Sequence, residues 1–123
     1  MTTQNINGNK PMIYIFITSD YKDSELVAHI GYGIEEEGIP FKTFVQEKNN
    51  SQELAYNAAQ NSSLGIGLGV TSEDQVVLQM AKLSKENPVF NKTLNSNEQA
   101  KKMGSNAARM VKGLPFKSFK SEE

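Results

Sequence analysis

The chain has 123 residues, which suits one domain able to bury a core of its own. Its 13 lysines and arginines against 14 aspartates and glutamates leave a net charge of -1, without the basic bias that a nucleic-acid backbone demands. Cysteine is absent, which excludes disulfides, thiolate metal sites and thiol catalysis and is compatible with the cytosol, and no stretch approaches the roughly 20 apolar residues of a membrane-spanning helix.

Residues 1–11 are rich in Thr, Asn and Gln, lack the apolar run of a secretory signal, and read as a flexible tail. Residues 12–18 are continuously apolar, branched and aromatic, as in a strand buried on both faces. Ser19 and Asp20 start a turn, and Asp20 or Asp23 is expected to cap a helix in which Leu26, Val27, Ile30 and Ile34 recur at helical spacing. That helix runs to about Glu37, where Gly38 offers a left-handed stop.

Residues 40–46 form a second strand anchored by Phe41 and Phe44, and Asn50 with Glu53 caps a second helix whose buried face is Leu54, Ala55, Ala58 and Ala59. Residues 64–70 alternate strictly between glycine and larger apolar residues, as a third strand with one face open to close approach. A polar turn at residues 71–74 leads into a fourth, antiparallel strand at residues 75–80. Pro88, Val89 and Phe90 suggest a short edge strand after a polar loop. Ser96 with Gln99, or Asn95 with Glu98, caps the last helix. Its buried stripe, Ala100, Met103, Gly104, Ala107, Ala108 and Val111, is small enough for close packing, and Gly113 and Pro115 end it. The order predicts a single α/β domain over residues 12–116, a mixed sheet with helices on both faces, and a polar tail over residues 117–123.

Few residues invite a chemical reading. Gly65, Gly67 and Gly69 lie inside a strand that continues into a hairpin, whereas a phosphate loop places glycines between a strand and a helix N-terminus. His29 is the only histidine, so it has no metal-binding companion of its own type and no flagged nucleophile beside it. Glu35, Glu36 and Glu37 crowd a helix C-terminus, where the macrodipole disfavours negative charge. Glu37 continues the stripe of Ile30 and Ile34, while Glu35 and Glu36 point away from it. The outward pair reads as a solvated helix end, a ligand for a hard cation completed from elsewhere, or a contact for a basic partner. Asn106, Arg109 and Lys112 are expected on the polar face of the last helix, with Arg109 the best interface anchor by type.

The segment Gly33-Ile34-Glu35-Glu36-Glu37-Gly38-Ile39-Pro40-Phe41 and the later Asn106-Ala107-Ala108-Arg109-Met110-Val111-Lys112-Gly113-Leu114-Pro115-Phe116, in this order, resemble the small (beta) subunit of the reactivating factor for adenosylcobalamin-dependent glycerol and diol dehydratases. The resemblance implies a three-layer α/β/α fold like that of anticodon-binding domains, with about five strands in a mixed, mostly parallel sheet whose fourth strand is antiparallel. It implies no catalytic centre and no cofactor in this chain. The partners would be a large, chaperone-like ATPase subunit carrying ATP or ADP, in a heterotetramer of two large and two small subunits, and the dehydratase. The factor would release damaged cobalamin by exchange of the small subunit with the dehydratase medium subunit. Glu36 would reach an Mg or Ca ion at the large-subunit interface, and Glu35, Glu36, Arg109 and Lys112 would belong to that interface. The location would be cytoplasmic, with attachment to a bacterial microcompartment left open, as are the choice of glycerol or diol dehydratase as client and self-association of the chain when alone. The alternative is the dehydratase medium subunit itself, typically longer before the shared domain. A nucleic-acid module is disfavoured by charge, and an independent enzyme by the lack of a paired acid and base.

Overall fold

The computed structural model describes residues 10–71 and 73–120. Most of the expected N-terminal tail and the end of the expected C-terminal tail therefore lie outside the described residues. Strand β1 (Ile13–Ile17) is buried at every position and occupies the interior of a five-stranded sheet. β2 (Phe41–Val45), β3 (Ile66–Thr71), β4 (Gln75–Met80) and β5 (Phe90–Thr93) complete the order β2-β1-β3-β4-β5. β1 pairs in parallel with both β2 and β3, while β4 runs antiparallel to its neighbours.

The layers follow from this order. α1 (Glu25–Glu36) links β1 to β2 on one side of β1, and α2 (Ser51–Asn61) links β2 to β3 on the other. Right-handed crossovers in opposite directions place the two helices on opposite faces. α3 (Asn97–Lys112) returns to the face of α1, giving the expected three layers. Alternation along β1 divides the core: Ile13, Ile15 and Ile17 pack with Ile30, Ile34, Met103 and Ala107, while Tyr14 and Phe16 pack with Leu54 and Ala58. On the α2 side of β3, a Cβ at Gly67 or Gly69 would collide with α2 backbone, so the glycine alternation is a packing device, as expected from its place in a strand.

The local signals identify the elements better than their edges. Ser24, not Asp20 or Asp23, caps α1 by accepting the Val27 amide at 3.3 Å, while Asp20 accepts the Thr18 hydroxyl in a short 3-10 turn. Asn50 and Ser96 cap α2 and α3 as predicted, accepting the amides of Glu53 at 2.8 Å and Gln99 at 3.1 Å. β5 begins at Phe90 rather than at Pro88, and just ahead of it Val89 donates to the Leu78 carbonyl at 2.9 Å. The β3–β4 turn holds Glu73 and Asp74 at φ 63° and 60°, and the Tyr21 hydroxyl pins it by donating to Asp74 Oδ1 at 2.8 Å and accepting the Asp74 amide at 2.7 Å. Gly38 and Gly113, at φ 81° and 71°, end α1 and α3 as the sequence indicates.

Candidate functional site

α1 and α3 run parallel. Asn97 donates to Glu25 across their starts at 3.3 Å, and Lys112 reaches Glu37 across their ends. They cross at two glycines: a Cβ on Gly104 would strike the Ile30 carbonyl, and one on Gly33 the Lys101 carbonyl. Two helix C-termini therefore meet at one end of the domain, and each brings the negative pole of its dipole. The glutamate triplet sits in this zone.

Glu37 is the inward member, with its side chain only 10% exposed. Its Oε2 accepts from Ser105 Oγ at 2.5 Å and from Arg109 Nε at 3.0 Å, and Lys117 Nζ lies 4.0 Å away. Its Oε1 accepts from Lys112 Nζ at 2.9 Å, and the same ammonium donates to the Glu37 carbonyl at 2.7 Å. The Ser105 hydroxyl first, then Lys112 and Arg109, outweigh desolvation and hold the Glu37 carboxyl down at about 2. The dipole and burial costs of a carboxylate here are met by cations from α3 and the segment after it.

The same helix turn organises that following segment. Asn106, expected on a solvated face, is fully buried. Its Nδ2 donates to the Lys117 carbonyl at 3.0 Å and its Oδ1 accepts the Lys117 amide at 2.6 Å, so one side chain satisfies both backbone groups of Lys117. Arg109 also donates to the Pro115 carbonyl at 3.0 Å. The chain then runs on along the α3 face to the β5 edge, where Phe116 and Phe119 each lie 5.2 Å from the Phe90 ring and Lys92 stands 5.0 Å over Phe119.

Glu35 and Glu36 are the outward members. Glu36 is half-exposed and pairs with Lys101 at 2.8 Å. Glu35 borders an open groove between α1 and β2, with Lys22, Tyr32, Phe41 and Thr43. No group of three or more metal-ligating side chains occurs among the described residues. The Glu36 carboxylate fits one oxygen ligand of a hard cation, reached by displacing an exposed ammonium, and does not make a cation site alone. His29 donates from Nδ1 to the Glu25 carbonyl at 2.9 Å and packs edge-on to Tyr32 at 4.9 Å, an ordinary helix-surface arrangement.

Of the residues singled out from sequence, Glu35 and Glu36 face solvent, while Arg109 and Lys112 close on Glu37 within the chain. Sequence reasoning missed Ser105 and the roles of Asn106 and Glu37. The signal was present: an acidic residue that continues an apolar stripe needs a buried partner, and Arg109 and Lys112 are spaced to supply one from a neighbouring helix.

Residues 10–117 match the family described as dehydratase medium subunit. The chain is 36% identical over 118 residues to the propanediol dehydratase-reactivating factor small subunit of Citrobacter freundii, covering 94% of this chain and 97% of that protein. It is equally 36% identical to the diol dehydratase-reactivating factor small subunit of Klebsiella michiganensis, covering 95% and 94%. Among solved structures, a glycerol dehydratase reactivase chain superposes with a TM-score of 0.85 at 25% identity, covering 90% of this chain and all of the other. A chain of diol dehydratase-reactivating factor solved with ADP and Mg2+ superposes with a TM-score of 0.81 at 30% identity, covering 89% of this chain.

Proposed function

The chain belongs to the dehydratase medium subunit family, and on that premise we propose that it is the small, non-catalytic subunit of an ATP-dependent factor that frees glycerol or diol dehydratase of damaged cobalamin. The observation that carries this reading is similarity along nearly the whole length of reactivating-factor small subunits, in sequence and in fold. The partner is a large, chaperone-like subunit that binds and hydrolyses ATP, in a heterotetramer of two large and two small subunits. The nucleotide state of that subunit alters the shared interface, and affinity for the small subunit follows by linkage. The released small subunit then exchanges with the dehydratase medium subunit, and the loosened enzyme gives up its dead cofactor. The complex works in the cytoplasm with its client, free or within a bacterial microcompartment.

In this reading Glu35 and Glu36 meet the large subunit. Glu36 gives one carboxylate oxygen to an Mg or Ca ion whose other ligands come from that subunit. Arg109 and Lys112 act beside them, fixing the end of α1 through Glu37 and lending their remaining N–H groups to the contact. A tagged chain co-expressed with the large subunit tests this. The expected result is retention of the large subunit that depends on Mg and nucleotide, and restored turnover of an inactivated dehydratase. Glu36→Gln should fold as the parent yet lose about tenfold in Mg-dependent retention. Unchanged retention and reactivation by that variant would remove Glu36 from the interface. The description of the matched family favours a second reading, the dehydratase medium subunit itself. Recovery of an active dehydratase in fixed stoichiometry with the tagged chain would establish that instead.

A further inference from the structure

Among the described residues the sheet ends on one side at β2, which is paired there only with β1. The Pro40 carbonyl accepts the Ile13 amide at 3.0 Å, and the Gln46 amide donates to the Ile17 carbonyl at 2.7 Å. Backbone groups alternate in direction along a strand, so the even-numbered residues bond to β1 and Phe41, Thr43 and Val45 turn their N–H and C=O groups outward. Natural edges are commonly blocked by proline, bulges or inward charges. Between Phe41 and Val45 there is no proline, the register with β1 is unbroken, and the one charge, Lys42, lies 5.4 Å from the Phe44 ring on the α2 face. Above the edge, the groove beside α1 has a volume of about 370 Å³. Two of the most exposed large side chains, Tyr32 at 49% and Val45 at 41%, border it or the strand beneath it.

We infer that this edge pairs with the same edge of a second copy of the chain, β2 against β2, antiparallel about a two-fold axis through Thr43. The strand is self-complementary in that register. Phe41 stands opposite Val45, Thr43 opposite itself, and the outward groups of all three form about six backbone hydrogen bonds. On the α2 face Lys42 stands opposite Phe44 of the other copy, extending the cation–aromatic contact already made within one chain, and no like charges oppose each other. On the α1 face the two α1 helices run antiparallel. The positive N-terminal end of one, with Lys22, meets the negative C-terminal end of the other, with Glu35, and Asp23 offsets part of the Lys22 charge. Tyr32 and Ala28 of both copies cover the paired strands. Glu35 also lies on the surface assigned above to the large subunit. On the proposed function, the homodimer is then the state of the free small subunit and is displaced on assembly.

Sedimentation velocity of the full-length chain alone, from low micromolar to near-millimolar concentration, tests the pairing. The expected result is a concentration-dependent dimer. Thr43→Pro removes an outward donor on an edge that tolerates proline and should weaken dimerisation on the order of a hundredfold. Lys22→Glu should weaken it about tenfold, and adding Glu35→Lys should restore it. A monomer throughout the range would overturn the inference, as would a dimer indifferent to the charge exchange. If circular dichroism shows that Thr43→Pro is unfolded, the charge-exchanged pair decides alone. Failure to bind a large subunit leaves this result standing, because only the free chain is measured.

Discussion

Glu37→Gln isolates the charge of the inward glutamate at nearly constant shape. The Glu37 carboxyl is held at about 2 against an ordinary 4.5, which corresponds to about 3 kcal/mol favouring the folded state at neutral pH. Arg109, Lys112 and Lys117 are 26%, 33% and 39% exposed, so solvent screens part of that attraction. About 2 kcal/mol remains as the expected loss, or roughly 5–10 °C in Tm for a domain of this size. The pH dependence has a definite sign. A depressed carboxyl contributes stability that is complete above about pH 4.5 and is lost as pH falls toward 2. Urea denaturation of parent and variant at pH 7, 4 and 2.5 should show a gap of about 2 kcal/mol that narrows steadily with acid. A gap below about 0.5 kcal/mol at pH 7, or one of equal size at every pH, would refute the reasoning, since only the ionised carboxylate is credited with the effect.

Other substitutions test the packing around this node. Gly104→Ala drives a methyl into the Ile30 carbonyl, which cannot rotate away, and should cost about 3 kcal/mol or more in denaturant unfolding. Asn106→Ala leaves the half-buried Lys117 amide and carbonyl without side-chain partners; about 1–2 kcal/mol is the expected loss, with hydrogen exchange quickened more at the Lys117 amide than elsewhere in the domain. Tyr21→Phe removes both bonds to Asp74 and should cost about 1 kcal/mol below pH 10. Burial raises the Tyr21 hydroxyl, so its contribution fades as pH climbs above 10, and the parent and variant alkaline unfolding curves should converge there. Glu73→Gly relieves a left-handed residue at φ 63° and should raise stability by about 0.5–1 kcal/mol, read as a higher Tm.

Periodicity determined which segments became helices and strands, because β1 is apolar without interruption and α1 and α3 repeat their buried residues at helical spacing. Local capping chemistry placed the starts of α2 and α3, since Asn50 and Ser96 act on amides three residues away. It misplaced the cap of α1, where Asp20, Asp23 and Ser24 compete within five residues and the 3-10 turn decides among them. The resemblance of the two glycine-proline-phenylalanine segments pointed to the family that the comparisons then showed. The meeting of those segments in space was not legible in the sequence. Glu37 and Arg109 are distant along the chain and become partners only because Gly33 and Gly104 let two parallel helices touch. Asn106 reads as a surface residue until the chain beyond Gly113 folds back over it. The outer edge of β2, unpaired among the described residues, likewise exists only once the strand order is set, because hydrogen-bond partners across a sheet are chosen by topology rather than by neighbouring residues. Sequence determined the elements and their buried faces; the close approach of α1 and α3 and the order of the strands decided which charges are spent inside the domain and which are left to meet a partner.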